Sequence, residues 1–273
     1  MRAVSHSSTL LLAALSTLLS PVHSSPLKLL PRAPSPPTAL PQNATLADLQ
    51  WQPSLDFDTD GCYNVPAIGP DGTIVQGLPH HFTGYATDCR DASDLDNNNV
   101  YVRNRCNSGW CIHLYGYYFE KDVAIKDFVD TGHTHDWEHI AVWVRQETGQ
   151  AEYVGASQHG NYEIRHASTV RWDGTHPKMV YHKDGAGTHC FRFANAADEN
   201  IENHKGVWFR GALVSYNGFP SEALREKLFA YDFGAATISI KNSTFPNAIT
   251  KAKPTAIIFD VNLDVGSPGW PGQ

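Results

Sequence analysis

Two stretches decide the fold: His113-Leu-Tyr-Gly-Tyr-Tyr-Phe119 and Gly132-His-Thr-His-Asp-Trp-Glu-His-Ile-Ala-Val-Trp-Val144. The first is rich in aromatics. The second ends in a continuous apolar run, 140–144, the pattern of a strand buried on both faces. Working outward, residues 151–158, 179–182 and 190–193 are further β-type runs, separated by Gly, Asn and Asp turn signals. Glu147-Thr-Gly-Gln150 reads as a hairpin turn. Near the C-terminus, Ile238-Ser-Ile240 and Ala256-Ile-Ile-Phe259 are expected to add two strands. One helix is clear: Ser221 caps it, Glu222 sits in its first turn, and Leu224, Leu228 and Phe229 recur at helical spacing. A weaker helix is expected over 45–50. Strands outnumber helices, so the fold class is mainly β: a single-domain β-sandwich with a few peripheral α-helices, its function lodged in loops.

The chain has 273 residues, of which 41% are hydrophobic and 18% charged, an ordinary globular composition. Its formal net charge of -7 leaves no basic stripe to release counterions, which argues against nucleic acid as a partner. Residues 1–24 read as a signal peptide. Arg2 gives the positive start, 9–19 the apolar core, and Val22-His23-Ser24 the small residues of a cleavage site. The apolar run is too short to span a bilayer. Residues 25–45 carry six prolines and read as a linker or pro-segment. The folded domain is expected over 46–263, with 264–273 as a C-terminal tail. Five cysteines lie beyond the signal, without CxxC or finger-like spacing, which argues against a structural zinc site. Cys106 and Cys111 flank the turn sequence Asn107-Ser-Gly109 and can form a local bridge. Cys190 sits in an apolar run, as a buried thiol does.

The densest chemistry is Gly132-His-Thr-His-Asp-Trp-Glu-His139. His133, Asp136 and Glu138 follow Asp122, Asp127 and Asp130. Several carboxylates and one imidazole form a hard ligand set suited to a divalent cation, Mg²⁺ first, with Ca²⁺ and Mn²⁺ as alternatives. The competing reading is a polar strand entry. In a regular strand His135, Trp137 and His139 share one face, and Asp136 and Glu138 the other. The zinc-hydrolase pattern H-x-H-x-D-H fails here, because Asp136 comes one position early and His139 one late.

Gly132-His-Thr-His-Asp-Trp-Glu138 resembles the GHRHDWE heptapeptide of the necrosis- and ethylene-inducing-like protein (NLP) family, with Thr134 in place of Arg. Tyr115-Gly-Tyr-Tyr-Phe-Glu-Lys-Asp122 resembles that family's Y-x-W-Y-F-P-K-D stretch, with Gly116 and Glu120 replacing Trp and Pro. Ser157-Gln-His-Gly160, Gly174-Thr-His-Pro177 and Tyr231-Asp-Phe-Gly234 extend the likeness over about residues 60–260. The resemblance implies a secreted, extracellular protein of the host apoplast, with an actinoporin- and fungal-lectin-like β-sandwich. It implies a divalent cation in an acidic cavity and binding to glycosylinositol phosphorylceramide, a sphingolipid of the plant plasma membrane, which is then damaged. A host pattern-recognition receptor is a further implied partner, through the peptide around 115–122.

Carried over position by position, the resemblance places the metal ligands at Asp122, His133, Asp136 and Glu138, and cavity residues at His135, His159 and His189. It also implies a Cys62–Cys89 disulfide. The interval from Asp122 to His133 is longer than the family's, so Asp127 or Asp130 competes with Asp122. Trp172, in turn-like sequence, is the candidate for membrane contact. The expected function is cation-dependent cytolysis. A non-lytic lectin-like binder or immune elicitor is the alternative, and a glycan hydrolase the third. No enzyme activity is expected, because ligation would hold both carboxylates ionised and leave no acid.

Overall fold

A computed structural model describes residues 34–128, 131–267 and 269. The expected signal peptide, Asp130 and most of the last residues lie outside the described residues. Elements are numbered along the chain. The larger sheet has the spatial order Ala212–Ser215 (β10), Asn99–Asn107 (β2), Trp110–Val123 (β3), Gly132–Arg145 (β4), Gln150–Gln158 (β5) and Asn161–His166 (β6). Its strands are antiparallel except β10, which runs parallel to β2. In the smaller sheet His176–Lys183 (β8) pairs with Ser54–Phe57 (β1), Trp172–Asp173 (β7) and His189–Phe193 (β9).

Side-chain alternation splits the core in two. Tyr115, Tyr117 and Phe119 of β3 and Ile140 and Val142 of β4 pack with Phe57, Met179, Tyr181 and Phe191 of the smaller sheet. The opposite residues, Ile112, Leu114 and Tyr118 with Trp137, Ala141 and Trp143, meet the helices Glu222–Ala230 (α2) and Phe245–Ala252 (α3). Helices, six-stranded sheet and four-stranded sheet therefore stack in three layers. The central strand β4 is apolar on both faces over 140–144, as expected. A short helix, Leu46–Trp51 (α1), starts where Thr45 accepts a hydrogen bond from the Asp48 amide. Ser221 caps α2 through the Leu224 amide, as the sequence indicates.

Disulfides join Cys62 to Cys89 and Cys106 to Cys111, the latter pair facing each other across the β2–β3 hairpin. Cys190 is free and buried.

Three sequence expectations are corrected. Residues 238–240 and 256–259 are not strands, although Ile238, Ile240, Ile257 and Phe259 are buried. In 238–240 side chains take the place of a ladder: Arg103 donates to the Ile240 carbonyl (2.9 Å), and the Ser239 amide donates to His139 (3.1 Å); in 256–259 the Ile257 amide closes a turn on the Pro254 carbonyl. The described part of the Pro-rich segment is not a free linker. Leu40 is buried, and the amides of Ala39, Leu40 and Asn43 donate to Asn97, Asn99 and the Leu213 carbonyl. An extended proline-rich chain keeps its remaining amides available, and here the sheet edge takes them. The described start of the tail is likewise tied down, with Asp264 accepting from the Cys106 amide (3.1 Å).

Candidate metal centre

β3 and β4 share one register, which sets Tyr117 opposite Glu138, Phe119 opposite Asp136 and Asp122 opposite His133. In a regular strand His133 and Asp136, three residues apart, would face opposite sides. His135 breaks the alternation. Its φ is +65°, in the left-handed region, and its pairing with Glu120 is missing from the ladder. Donor atoms of Asp122, His133 and Asp136 consequently lie within 4.8 Å of one another. Gly132 lets the strands close at this point, since a Cβ there would stand 2.1 Å from the Asp122 carbonyl oxygen.

Asp122, Asp136 and Glu138 are all buried. Asp122 accepts from the His189 amide (2.8 Å) and from His189 Nδ1 (2.7 Å). His133 Nδ1 donates to the His135 carbonyl (2.6 Å), which leaves Nε2 as the nitrogen with a lone pair. Asp136 accepts from the Tyr181 hydroxyl (3.2 Å), and Glu138 from Ser157 Oγ. Burial, reinforced by the neighbouring Asp122, pushes the Asp136 carboxyl up to about 7. Burial and then Asp136 push Glu138 well above the usual carboxylate range. For His189, burial opposes the charged form, but hydrogen bonds to Asp122 and Asp60 outweigh it and raise the imidazole to about 9. Such crowding of buried acids is the environment a divalent cation relieves, and the oxygen-rich donor set fits one.

His133 and Asp136 of the cluster line a cavity of about 320 Å³, together with Glu138 of β4 and Asn247 and Lys251 of α3. Glu138 shares this wall with Asp136 but stands outside the 4.8 Å group. His159 lines the cavity, half-exposed and bonded to Asp184 (2.9 Å).

Other expected cavity residues lie elsewhere. His189 is buried behind Asp122 and stacks on Tyr181, so it supports a ligand rather than facing the cavity. His135 keeps the face of Trp137, toward the helical layer, where Tyr118 and Phe233 hold its ring. Asp127 is exposed on the β3–β4 loop, its amide bonded to the Thr83 carbonyl, away from the cluster. Trp172 is not a projecting anchor. Its indole packs beside the inter-sheet core and donates to the Ala167 carbonyl (3.0 Å).

Tyr181, Ser157 and His139 join the site without being singled out by sequence. Ser157 falls within Ser157-Gln-His-Gly160, whereas nothing local marks Tyr181. His139 is fully buried, which drives its pKa down to about 3 and keeps it a neutral acceptor. A second group, His159, Asp184 and Cys190, also converges. Burial, then nearby carboxylates, raise the Cys190 thiol, so it stays protonated and ligates poorly.

Two stacked sheets under a helical layer, with a carboxylate–imidazole cluster on the central hairpin, define a toxin-fold β-sandwich. A solved structure described as a toxin fold as basis for microbial attack and plant defense matches with a TM-score of 0.67 and 25% identity, over 80% of this chain and 96% of that one. The structure of NLPPya in complex with mannosamine matches at 0.64 and 25%, over 79% and 95%. The model of the necrosis inducing protein (NPP1) family matches residues 45–252, and the chain belongs to that family. Among relatives, NLP effector protein 10 of Phytophthora capsici is 28% identical over 230 residues, 82% of this chain and 89% of the relative. Necrosis-inducing protein NPP1 of Phytophthora nicotianae is 26% identical, over 76% and 81%.

Proposed function

We propose that the protein is a secreted, cation-dependent cytolysin. It binds the headgroup of glycosylinositol phosphorylceramide in the plant plasma membrane and damages that membrane, causing necrosis and defence responses. The observation that carries this reading is the convergence of donor atoms of Asp122, His133 and Asp136, the last two of which line the cavity. These three, with Glu138 as the fourth, would hold a divalent cation, Mg²⁺ first, whose open positions take the hydroxyls of a sugar. The amino-sugar complexes of NLPPya support a carbohydrate ligand, and the effector relatives support secretion into the apoplast through the segment 1–24.

The cation serves binding, not bond cleavage. With Asp136 and Glu138 held ionised, neither can protonate a leaving group, so the protein is no hydrolase. A non-lytic binder or elicitor is the second reading, favoured by Thr134. Where the family heptapeptide has Arg, its hydroxyl donates to the Leu78 carbonyl (3.0 Å) and offers no positive charge to the cavity.

Dye release from vesicles containing glycosylinositol phosphorylceramide, with and without chelator, tests the proposal. Release abolished by chelator and restored by Mg²⁺ supports cytolysis. Cation-dependent binding without release selects the non-lytic reading, and chelator-insensitive behaviour overturns both.

A further inference from the structure

Eight large apolar side chains are exposed among the described residues, and the two phenylalanines among them share one place. Phe82 is 71% exposed and Phe128 60%, with Ile125 beside them at 47%. They stand on two loops that are hydrogen-bonded together. The Phe82 amide donates to the Phe128 carbonyl (3.2 Å), and the Asp127 amide to the Thr83 carbonyl (3.1 Å). The buried Lys121 fixes the first loop by donating to Thr83 Oγ1 (2.9 Å) and the Gly84 carbonyl (3.0 Å). Thr131 fixes the second by donating to the Ile125 carbonyl (2.7 Å). The apolar tip is therefore a built surface, held out into water by buried anchors. A patch so held marks an interaction site.

Its position identifies the partner. The second loop directly joins Asp122 at the end of β3 to His133 at the start of β4, two residues of the candidate cation cluster. Thr134, next to His133, hydrogen-bonds the Leu78 carbonyl at the base of the first loop. The loop that carries Ile125 and Phe128 is thus continuous with two residues of the cation cluster, and the loop of Phe82 is hydrogen-bonded to it. Trp172, by contrast, is half-buried beside the inter-sheet core and donates to the Ala167 carbonyl.

We infer that Phe82, Ile125 and Phe128 form the bilayer contact, entering the interfacial region of the membrane whose glycosylated headgroup occupies the cation cavity. The inference rests on the sphingolipid reading of that cavity. Aromatic and branched apolar side chains on a rigid polar-backed tip suit the headgroup–acyl boundary.

The test uses phosphatidylcholine vesicles containing glycosylinositol phosphorylceramide, with and without brominated phosphatidylcholine chains. In Phe128→Trp the added emission should shift to the blue and be quenched by the brominated chains, only when Mg²⁺ is present. The Phe82→Ser/Phe128→Ser pair should lower vesicle partitioning at least about tenfold, with Mg²⁺ affinity measured by calorimetry unchanged. Vesicle binding by Phe128→Trp without quenching overturns the inference and leaves the cavity reading standing. So does a dimer in solution that the double serine variant dissociates while vesicle binding persists, which would make the tip a self-association surface. Wild-type protein that binds no vesicle overturns the cavity reading itself, and this inference with it.

Discussion

His133 and Asp136 stand three residues apart on β4, yet their donor atoms come within 4.8 Å, because His135 between them has a φ of +65°. A non-glycine residue in that region carries strain of order 1–2 kcal/mol. The Tyr118 hydroxyl holds the His135 ring at 2.6 Å and so fixes the turn. Replacing His135 by Ala keeps the strain and removes the anchor. Weakened Mg²⁺ binding with the β-sandwich retained is expected from calorimetry and circular dichroism, and unaltered affinity would show that the kink does not set the site.

Asp136→Asn separates stability from function. The wild-type carboxyl, pushed up to about 7, is an ionised group the fold opposes above neutrality. The variant should therefore melt higher than cation-free wild type at pH 8, by an amount of order 2–4 kcal/mol, while losing the Mg²⁺-induced rise in melting temperature. A variant that is less stable and still responds to Mg²⁺ would refute this assignment.

The pH dependence has a definite sign. Asp136 is protonated more readily folded than unfolded, so cation-free stability declines as pH rises from the ordinary carboxylate value to about 7. His189, raised to about 9, contributes stability that is complete below its ordinary 6.5 and lost as pH climbs to about 9. Both groups make the cation-free protein least stable at alkaline pH. Cation binding competes with the protons on Asp136 and Glu138, so affinity should rise from pH 5.5 to pH 8 with protons released. Calorimetry in buffers of different ionisation enthalpy measures both quantities. Equal affinity at the two values contradicts the account.

His189 positions Asp122 with two hydrogen bonds and does not line the cavity of His133 and Asp136. His189→Ala should weaken Mg²⁺ binding about 10–100-fold, as loss of a ligand's support generally does. His189→Asn, which can still donate to a carboxylate, should recover part of that loss.

Much of this architecture is legible in the amino-acid sequence. The continuous apolar run of β4 and the Ser221 cap place the central strand and α2 correctly. Helix α3 is harder to see, although Phe245, Ala248, Ile249 and Ala252 keep helical spacing, because the stretch is only 8 residues long and its Thr244 makes no side-chain cap. Residues 238–240 alternate like a strand but lie where no strand edge meets them. The candidate ligands are legible as a motif, and the convergence of Asp122, His133 and Asp136 is not. Spacing alone assigns His133 and Asp136 to opposite faces, and no local signal announces a left-handed His135. Tyr181 and His189 reach the cluster from the other sheet, a placement only tertiary structure supplies.

The disulfides offer a control on the fold. In the chain-entropy model, opening Cys62–Cys89, separated by 27 residues, should cost about 3 kcal/mol, and Cys106–Cys111, separated by five, about 2 kcal/mol. Urea unfolding of the paired Cys→Ser variants measures the order, and a larger loss at 106–111 would contradict it.

The central claim is that one divalent cation sits among Asp122, His133 and Asp136. Anomalous diffraction from crystals soaked with Mn²⁺ tests it most directly. A single strong peak within bonding distance of those three residues is the expected result. A peak confined to His159, Asp184 and Cys190, or none at full soaking concentration, would contradict it.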